Sequence, residues 1–269
     1  MSTPTVAHLF IHPIKSLDRV AVTEARLLRG GSLTHDREFA LFDRDGNFVN
    51  GKRQPRIHLI RAVYDLTNFT VTLRMRDQND AQTFHLLDER TRLEAWFSNF
   101  LGFPVTMKRD TTTGFPDDPA APGPTVISVA TLAEVSSWFP ELDPEQASRR
   151  FRANIEIANV PAFWEDRLFG GPGETVEFTI GQVQLHGINP CQRCVVPSRH
   201  PQTGDMIHGF QKTFSEKRKA TLPAWVTTTR FNHFYRLSVN TRVSSLEAGK
   251  VIHDGDELSN HGKLLVAGS

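Results

Sequence analysis

Cysteine is nearly absent from this sequence, with two residues in 269, Cys191 and Cys194. Two thiols exclude a disulfide framework and suit a reducing compartment. Long apolar runs are missing too, so no segment reads as a bilayer span. The first ten residues, MSTPTVAHLF, lack a basic stretch followed by an apolar core, and no secretory signal is expected. The expected location is therefore the cytoplasm, with no membrane partner. There is no excess of either charge. The net charge of +1 argues against a surface built for a nucleic-acid backbone, and no nucleic-acid partner is expected. No strand is followed by Gly-x-Gly-x-x-Gly, the fingerprint of a bound dinucleotide. Repeats and low-complexity tracts are absent. What remains is the composition of a globular chain, 39% hydrophobic and 23% charged.

The pattern along the chain is mostly that of short strands. Val6 to Ile14 is an apolar run closed by Lys15-Ser16. Arg37 to Asp43 leads into the Asp45-Gly46 hairpin signal, with Asn47-Phe48-Val49 as the return. Ile57 to Tyr64 is a further strand. Phe69, Val71, Leu73 and Met75 alternate with polar residues. From Asp88 to Leu101 the period becomes helical, with Asp88 as N-cap and Gly102 as stop. Gly114 to Pro124 holds four prolines and two glycines and breaks the chain. Beyond it come a strand over Thr125–Val129, a helix from Ala130 to about Trp138 and a helical turn over Glu145–Arg150. A strand over Phe151–Ile157 would put Arg152 and Asn154 on one face. Val176–Ile180 and Val183–Leu185 form a hairpin through Gly181-Gln182. Pro197 to Pro223 reads as irregular, its Lys212, Lys217, Arg218 and Lys219 as a solvated loop. Strands are expected at Phe234–Val243, around Val251 and over Leu264–Ala267. The expected fold is mainly β with a few helices (α+β). It divides into two β-barrel-like units, residues 1–116 and 125–269, with a site between them.

The densest chemistry is in Asn189 to Asp205, which holds both cysteines with Arg193 between them. Four readings of Cys191-x-x-Cys194 stand side by side. Structural zinc needs four ligands, and His186, His200 and His208 lack the finger spacing. A redox dithiol needs a helix start within a βαβ pattern. Two buried structural thiols would sit poorly beside Arg193. A single thiolate on a redox metal needs its other ligands from a cofactor. Lys15-Ser16, Arg37, Ser128, Arg152 and Asn154 each have an ordinary reading as turn, surface pair, cap or solvated face. An anionic cofactor would give them a joint purpose, because phosphate and a polar ring need Lys, Arg, hydroxyl and amide donors.

At these residues the chain resembles MOSC-domain proteins, named for the C-terminal domain of molybdenum-cofactor sulfurase, together with the β-barrel extension that often precedes that domain. The resemblance rests on His12-Pro13-Ile14-Lys15-Ser16, Asp36-Arg37-Glu38-Phe39-Ala40-Leu41, Arg53-Gln54-Pro55-Arg56, Phe151-Arg152-Ala153-Asn154-Ile155 and Cys191-Gln192-Arg193-Cys194 followed by His200-Pro201-Gln202-Thr203-Gly204. It is nearest in pattern to the amidoxime-reducing members and their bacterial counterparts. It implies a molybdenum cofactor (molybdenum-molybdopterin) and no pyridoxal phosphate. Cys194 falls on the metal ligand and carries the catalysis. Lys15, Ser16, Arg37, Ser128, Arg152 and Asn154 fall on the cofactor-binding positions. The implied reaction is reduction of a small N-hydroxylated substrate, with a cofactor carrier or sulfur-delivery protein as the alternative. Val195-Val196-Pro197-Ser198-Arg199 and His200-Pro201 replace the family's threonines and its Asp-Pro-x-Thr-Gly turn. No ferredoxin-like cysteine set follows, so electrons are expected from a separate flavin or iron–sulfur protein.

Overall fold

A computed structural model describes residues 3–265. The strands in chain order are β1 (Thr5–Ile11), β2 (Val20–Val22), β3 (Glu24–Arg26), β4 (Phe39–Phe42), β5 (Ile60–Asp65), β6 (Thr70–Met75), β7 (Gln82–His85), β8 (Thr106–Arg109), β9 (Val126–Ser128), β10 (Ile155–Ala158), β11 (Glu174–Ile180), β12 (Val183–Gln192), β13 (Arg236–Arg242), β14 (Val251–His253) and β15 (Leu258–Leu265). The helices are α1 (Arg90–Leu101), α2 (Val129–Ser136), α3 (Pro144–Phe151) and α4 (Phe210–Ala220). The fold is mainly β, as the strand-rich pattern indicates.

The barrels expected from the sequence are not closed. Eight strands form one open sheet in the order β15-β11-β12-β13-β9-β10-β1-β2. Closure needs the end strands to pair with each other, and β15 and β2 do not. The sheet also crosses the proline-rich break. β1 lies antiparallel between β10 and β2, so a strand from the start of the chain belongs to the same sheet as β11–β13. Smaller sheets pair β3 with β14, β4 with β8, and β5-β6-β7 in a meander.

Three apolar cores follow. One lies against the large sheet and includes Leu9, Ile11, Phe178, Leu185 and Val239. A second, from Ile14 to Met107, joins β4–β8 to α1. Its helix buries Leu93, Phe97, Phe100 and Leu101, the i, i+4, i+7, i+8 stripe of the sequence. α1 stops at Gly102, whose φ of 84° suits glycine. Its N-cap is Glu89, not Asp88, and no side chain caps it. The third core packs α2, α3 and α4 through Val135, Phe151, Phe210 and Phe214. Burying each of these aromatic rings contributes roughly 1.5–3 kcal/mol.

Other local differences have local causes. Residues 55–59 form a 3-10 turn, so the strand expected from Ile57 starts at Ile60. Asn47-Phe48-Val49 makes one bridge, Phe42 to Phe48, and β4 pairs instead with the distant β8. The last strand spans Leu258–Leu265; Ala267, its expected end, lies outside the described residues. Residues 210–220 are helical rather than irregular, and Arg218 is fully buried there rather than solvated.

Gly187 shows how tightly β12 is packed. A Cβ at this position would lie 1.6 Å from the Leu168 carbonyl oxygen. Gly187→Ala is expected to cost about 1–3 kcal/mol through backbone displacement. An unchanged thermal midpoint would contradict the close approach.

Candidate functional site

The candidate site lies where two short segments pass from one core to another. Ile11 belongs to the large-sheet core and Ile14 to the second. Leu33 and Phe39 make the same passage. Backbone bonds zip the two crossings together. Arg37 N donates to His12 O (2.8 Å), Phe39 N to Pro13 O (3.0 Å) and Lys15 N to Phe39 O (2.8 Å).

Three residues picked out by the sequence have an uncommon backbone there. Ser16 (φ 74°), Arg37 (φ 49°) and Arg152 (φ 53°) are among eight non-glycine residues with positive φ in the described chain. Such conformations persist only where the surroundings enforce them, and they gather at functional sites. Arg152 is the left-handed C-cap of α3, its N–H bonded to Ser148 O. The strand expected over Phe151–Ile157 is therefore a helix end, a turn and then β10. Asp143 and Pro144 start α3, and their helix-start chemistry outweighs the period-two pattern that follows.

Lys15, Arg37 and Arg152 come together. Lys15 is buried, donates through Nζ to Phe115 O (2.9 Å) and pairs with Asp117. Its Nζ also lies 5.3 Å from the Phe48 ring centre. Burial lowers its pKa, Asp117 opposes that, and the Arg37 and Arg152 charges lower it further. Arg37 pairs with Asp36. Burial alone would raise the Asp36 carboxyl, yet Arg37 and His12 hold it well below the usual carboxylate range. His12 N donates to Asp36 Oδ1 at 2.8 Å, and burial with the Arg152 charge pushes the His12 imidazole down to about 3. Arg152 is pushed down to about 10, by burial first and by Arg37 next, and so stays a cation at neutral pH. Among the described residues no carboxylate is within ion-pair distance of it, though Asp117, Asp18 and Asp36 favour its charge from farther off, and its Nη2 is buried without a hydrogen bond. The seam thus carries an unmatched positive charge.

The cysteines lie at the end of β12 and just beyond it. Cys191 is half-buried and accepts a hydrogen bond from Arg193 Nη1 at 3.1 Å. Arg193 Nη2 donates to Phe151 O at 2.6 Å, which ties the cysteine loop to the turn that presents Arg152. Cys191 lies near enough to Arg37 that a thiolate there would favour the guanidinium cation. Cys194 is exposed, and its sulfur accepts from Val196 N at 3.5 Å. Among the described residues no group of three or more His, Cys, Asp or Glu could hold a metal.

Ser16 borders the same region, its Oγ accepting from Gly51 N at 3.2 Å. Ser128 and Asn154 are placed differently. Ser128 is fully buried as the N-cap of α2, accepting from Thr131 N at 3.0 Å. Asn154 clamps strands: Nδ2 donates to Phe10 O (3.0 Å) and Oδ1 accepts from Thr125 N (3.2 Å). Their polar groups are already engaged within the protein. The sequence reading missed Asp117, His12 and His58. Asp117 lies in the proline-rich break, whose sequence shows only the interruption of regular structure. His58 is buried with Nε2 unpartnered, and burial with the Arg152 charge pushes it down to about 4. No helix among the described residues is long and apolar enough to cross a membrane.

Comparison with known proteins gives two family matches in tandem. Residues 3–104 match the MOSC N-terminal beta barrel domain, and residues 124–259 match the MOSC domain. The human protein named mitochondrial amidoxime reducing component 2 is 27% identical over 235 residues, covering 74% of this chain and 68% of the relative. Human mitochondrial amidoxime-reducing component 1 is 27% identical over 240 residues, covering 75% and 68%. The Danio rerio protein named molybdenum cofactor sulfurase is 26% identical over 263 residues, covering 81% of this chain but 31% of the relative.

Proposed function

The chain belongs to the MOSC-domain family, and from that premise we propose that it is a molybdenum-cofactor-dependent reductase of small N-hydroxylated compounds. The observation that carries this reading is the unmatched Arg152 beside Lys15 and Arg37, at a seam that also presents two thiols. The buried unpartnered nitrogens Arg152 Nη2 and Arg193 Nε are donors awaiting acceptors. With no cluster of three protein ligands, a metal here needs most of its ligands from elsewhere. A phosphate-bearing dithiolene pterin brings both the ligands and the negative charge. These residues therefore fit the cofactor.

Lys15, Ser16, Arg37 and Arg152 would hold the phosphate and pterin, and Cys194 would ligate the metal. Bound molybdenum supplies the two-electron chemistry that removes oxygen from an N–O bond. The chain's own work is placement. Asp36 and Asp117 fix the two neighbouring cations, while His12 stays neutral and holds Asp36. The strained backbone at positions 16, 37 and 152 aims the donors before any ligand arrives. Ser128 and Asn154 act from behind, holding α2 and the strand ends that position the site. Electrons come from a separate flavin or iron–sulfur protein.

Arg152→Ala tests the reading. Molybdenum per chain is expected to fall at least about tenfold, the loss of one charge-assisted contact set, while folding changes little. Full molybdenum occupancy in that variant would rule out the assigned cradle. The exposure of Cys194 favours one second reading, a cofactor carrier or sulfur-delivery protein that hands its cargo to a partner. Turnover of an N-hydroxylated base with a chemical reductant separates the two, since a carrier gives none.

A further inference from the structure

A half-open cleft adjoins the site on the Arg152 side. Ser16 and Arg152 are among its lining residues, together with Arg61, Arg150, Arg199 and His58. Lys15, Arg37 and the cysteines do not border it. Asp18 is the only carboxylate among the lining residues, and it is already taken. It accepts from Arg61 Nη1 at 2.9 Å and from Ala62 N at 2.9 Å.

Arg150 is the decisive residue. It is 2% exposed, and no carboxylate pairs with it. It makes one hydrogen bond, from Nη1 to Pro197 O at 3.1 Å, and its Nε is buried without a partner. Arg61 Nε, Arg199 Nε and His58 Nε2 are buried and unpartnered as well. A buried guanidinium without a carboxylate is costly, so Arg150, with unpartnered nitrogens of Arg61, Arg199 and His58 on the same cleft, calls for an anion with several acceptor oxygens. Burial pushes Arg150 down to about 10, which leaves it charged at neutral pH.

One phosphate held by Ser16 and Arg152 would leave Arg150 and Arg199 unanswered. Building on the functional reading above, we infer that this cleft is a second phosphate-recognition subsite, taking a phosphate group beyond the one on the pterin. That phosphate comes either from a phosphorylated N-hydroxylated substrate or from a nucleotide extension of the cofactor itself. Arg199 belongs to the stretch after Cys194 that departs from the family pattern.

The test is calorimetric titration of the purified, cofactor-loaded protein and of cofactor-stripped protein, with inorganic phosphate and pyrophosphate as probes. Arg150→Gln and Arg199→Gln are run beside the parent chain; the half-buried Arg199 serves if the Arg150 variant fails to fold. If the substrate supplies the phosphate, the loaded protein binds a probe saturably, and binding weakens about tenfold in the variants. If the cofactor supplies it, the loaded protein releases a nucleoside phosphate on denaturation, and only stripped protein binds pyrophosphate, again weakened in the variants. No binding in either form, or equal binding by parent and variants, overturns the subsite. Anion binding is read independently of molybdenum. A chain that never carries molybdenum but shows the variant-sensitive binding would sink the reductase reading and keep the subsite.

Discussion

Cys194→Ser is expected to abolish reduction of an N-hydroxylated purine, a fall of at least about a hundredfold, while leaving the thermal midpoint where it was. The second half follows from exposure. Cys194 makes one long sulfur contact, from Val196 N at 3.5 Å, and substitutions at such positions stay within about 0.5 kcal/mol. The first half follows from chemistry, since a hydroxyl is a poor replacement for thiolate on a soft metal. Cys191→Ser is the counterpart. Its sulfur accepts from Arg193 Nη1, and a serine hydroxyl accepts the same bond. Most activity and molybdenum should therefore survive.

The pair of variants also decides among the readings that the sequence leaves open. A zinc site or a redox dithiol requires both sulfurs, so equal loss in both would return those readings to the front. The structure adds a sharper alternative. Cys191, not Cys194, is half-buried beside Arg193 and within the influence of Arg37. Loss confined to Cys191→Ser would move the metal ligand to Cys191, at the end of β12. Molybdenum content measured beside turnover separates a lost ligand from a lost electron path.

Much of the strand content was legible because β6, β11 and β12 bury alternate residues against a core. The hairpin through Gly181-Gln182 needed nothing beyond its own turn. Two failures have physical causes. The buried stripe of α4 is Phe210, Phe214 and Arg218, so one of its three apolar-looking positions is an arginine and the helical period is hidden. Its N-cap is Gly209, which offers no side chain to cap with. That the large sheet stays open was equally hidden, because strand pairing over long separations leaves no local mark. The site was half legible. Lys15, Arg37 and Arg152 were named, but each had an ordinary surface reading alone. Their meeting depends on β1 pairing with β10 across 146 or more residues of chain, as in Leu9 with Ile155. Asp117 and Arg150 carried no signal at all, since their roles exist only once the seam and cleft are formed.

Arg218→Met should give the largest loss of stability, about 3–5 kcal/mol near neutral pH, because it strips the cation from a buried charged group. Arg218 has no exposed surface and pairs with Asp166, with the Phe163 ring centre 4.2 Å and the Phe231 ring centre 5.1 Å from its guanidinium carbon. Next to Asp166 stands Glu165, also buried, accepting from Thr131 Oγ1 at 3.0 Å and leaving Oε1 unpartnered. Burial raises the pKa of both carboxyls; the Asp166 charge raises Glu165 further, and Arg218 opposes the rise in each. A carboxyl whose folded pKa lies above its unfolded one contributes stability at acid pH that is lost as pH rises through the folded value. Removing Arg218 takes away the opposing cation, raises both carboxyls again and steepens that loss. The deficit relative to the parent chain should therefore be greatest near about pH 8 and shrink toward about pH 5, where the carboxyls protonate. Adding Asp166→Asn removes the stranded charge and should restore part of the stability at the higher pH. Denaturant midpoints of the parent, single and double variants at both pH values give the answer. A deficit that is the same at both, and not relieved by the second substitution, would mean that Arg218 holds α4 by packing against the two rings and not by its charge.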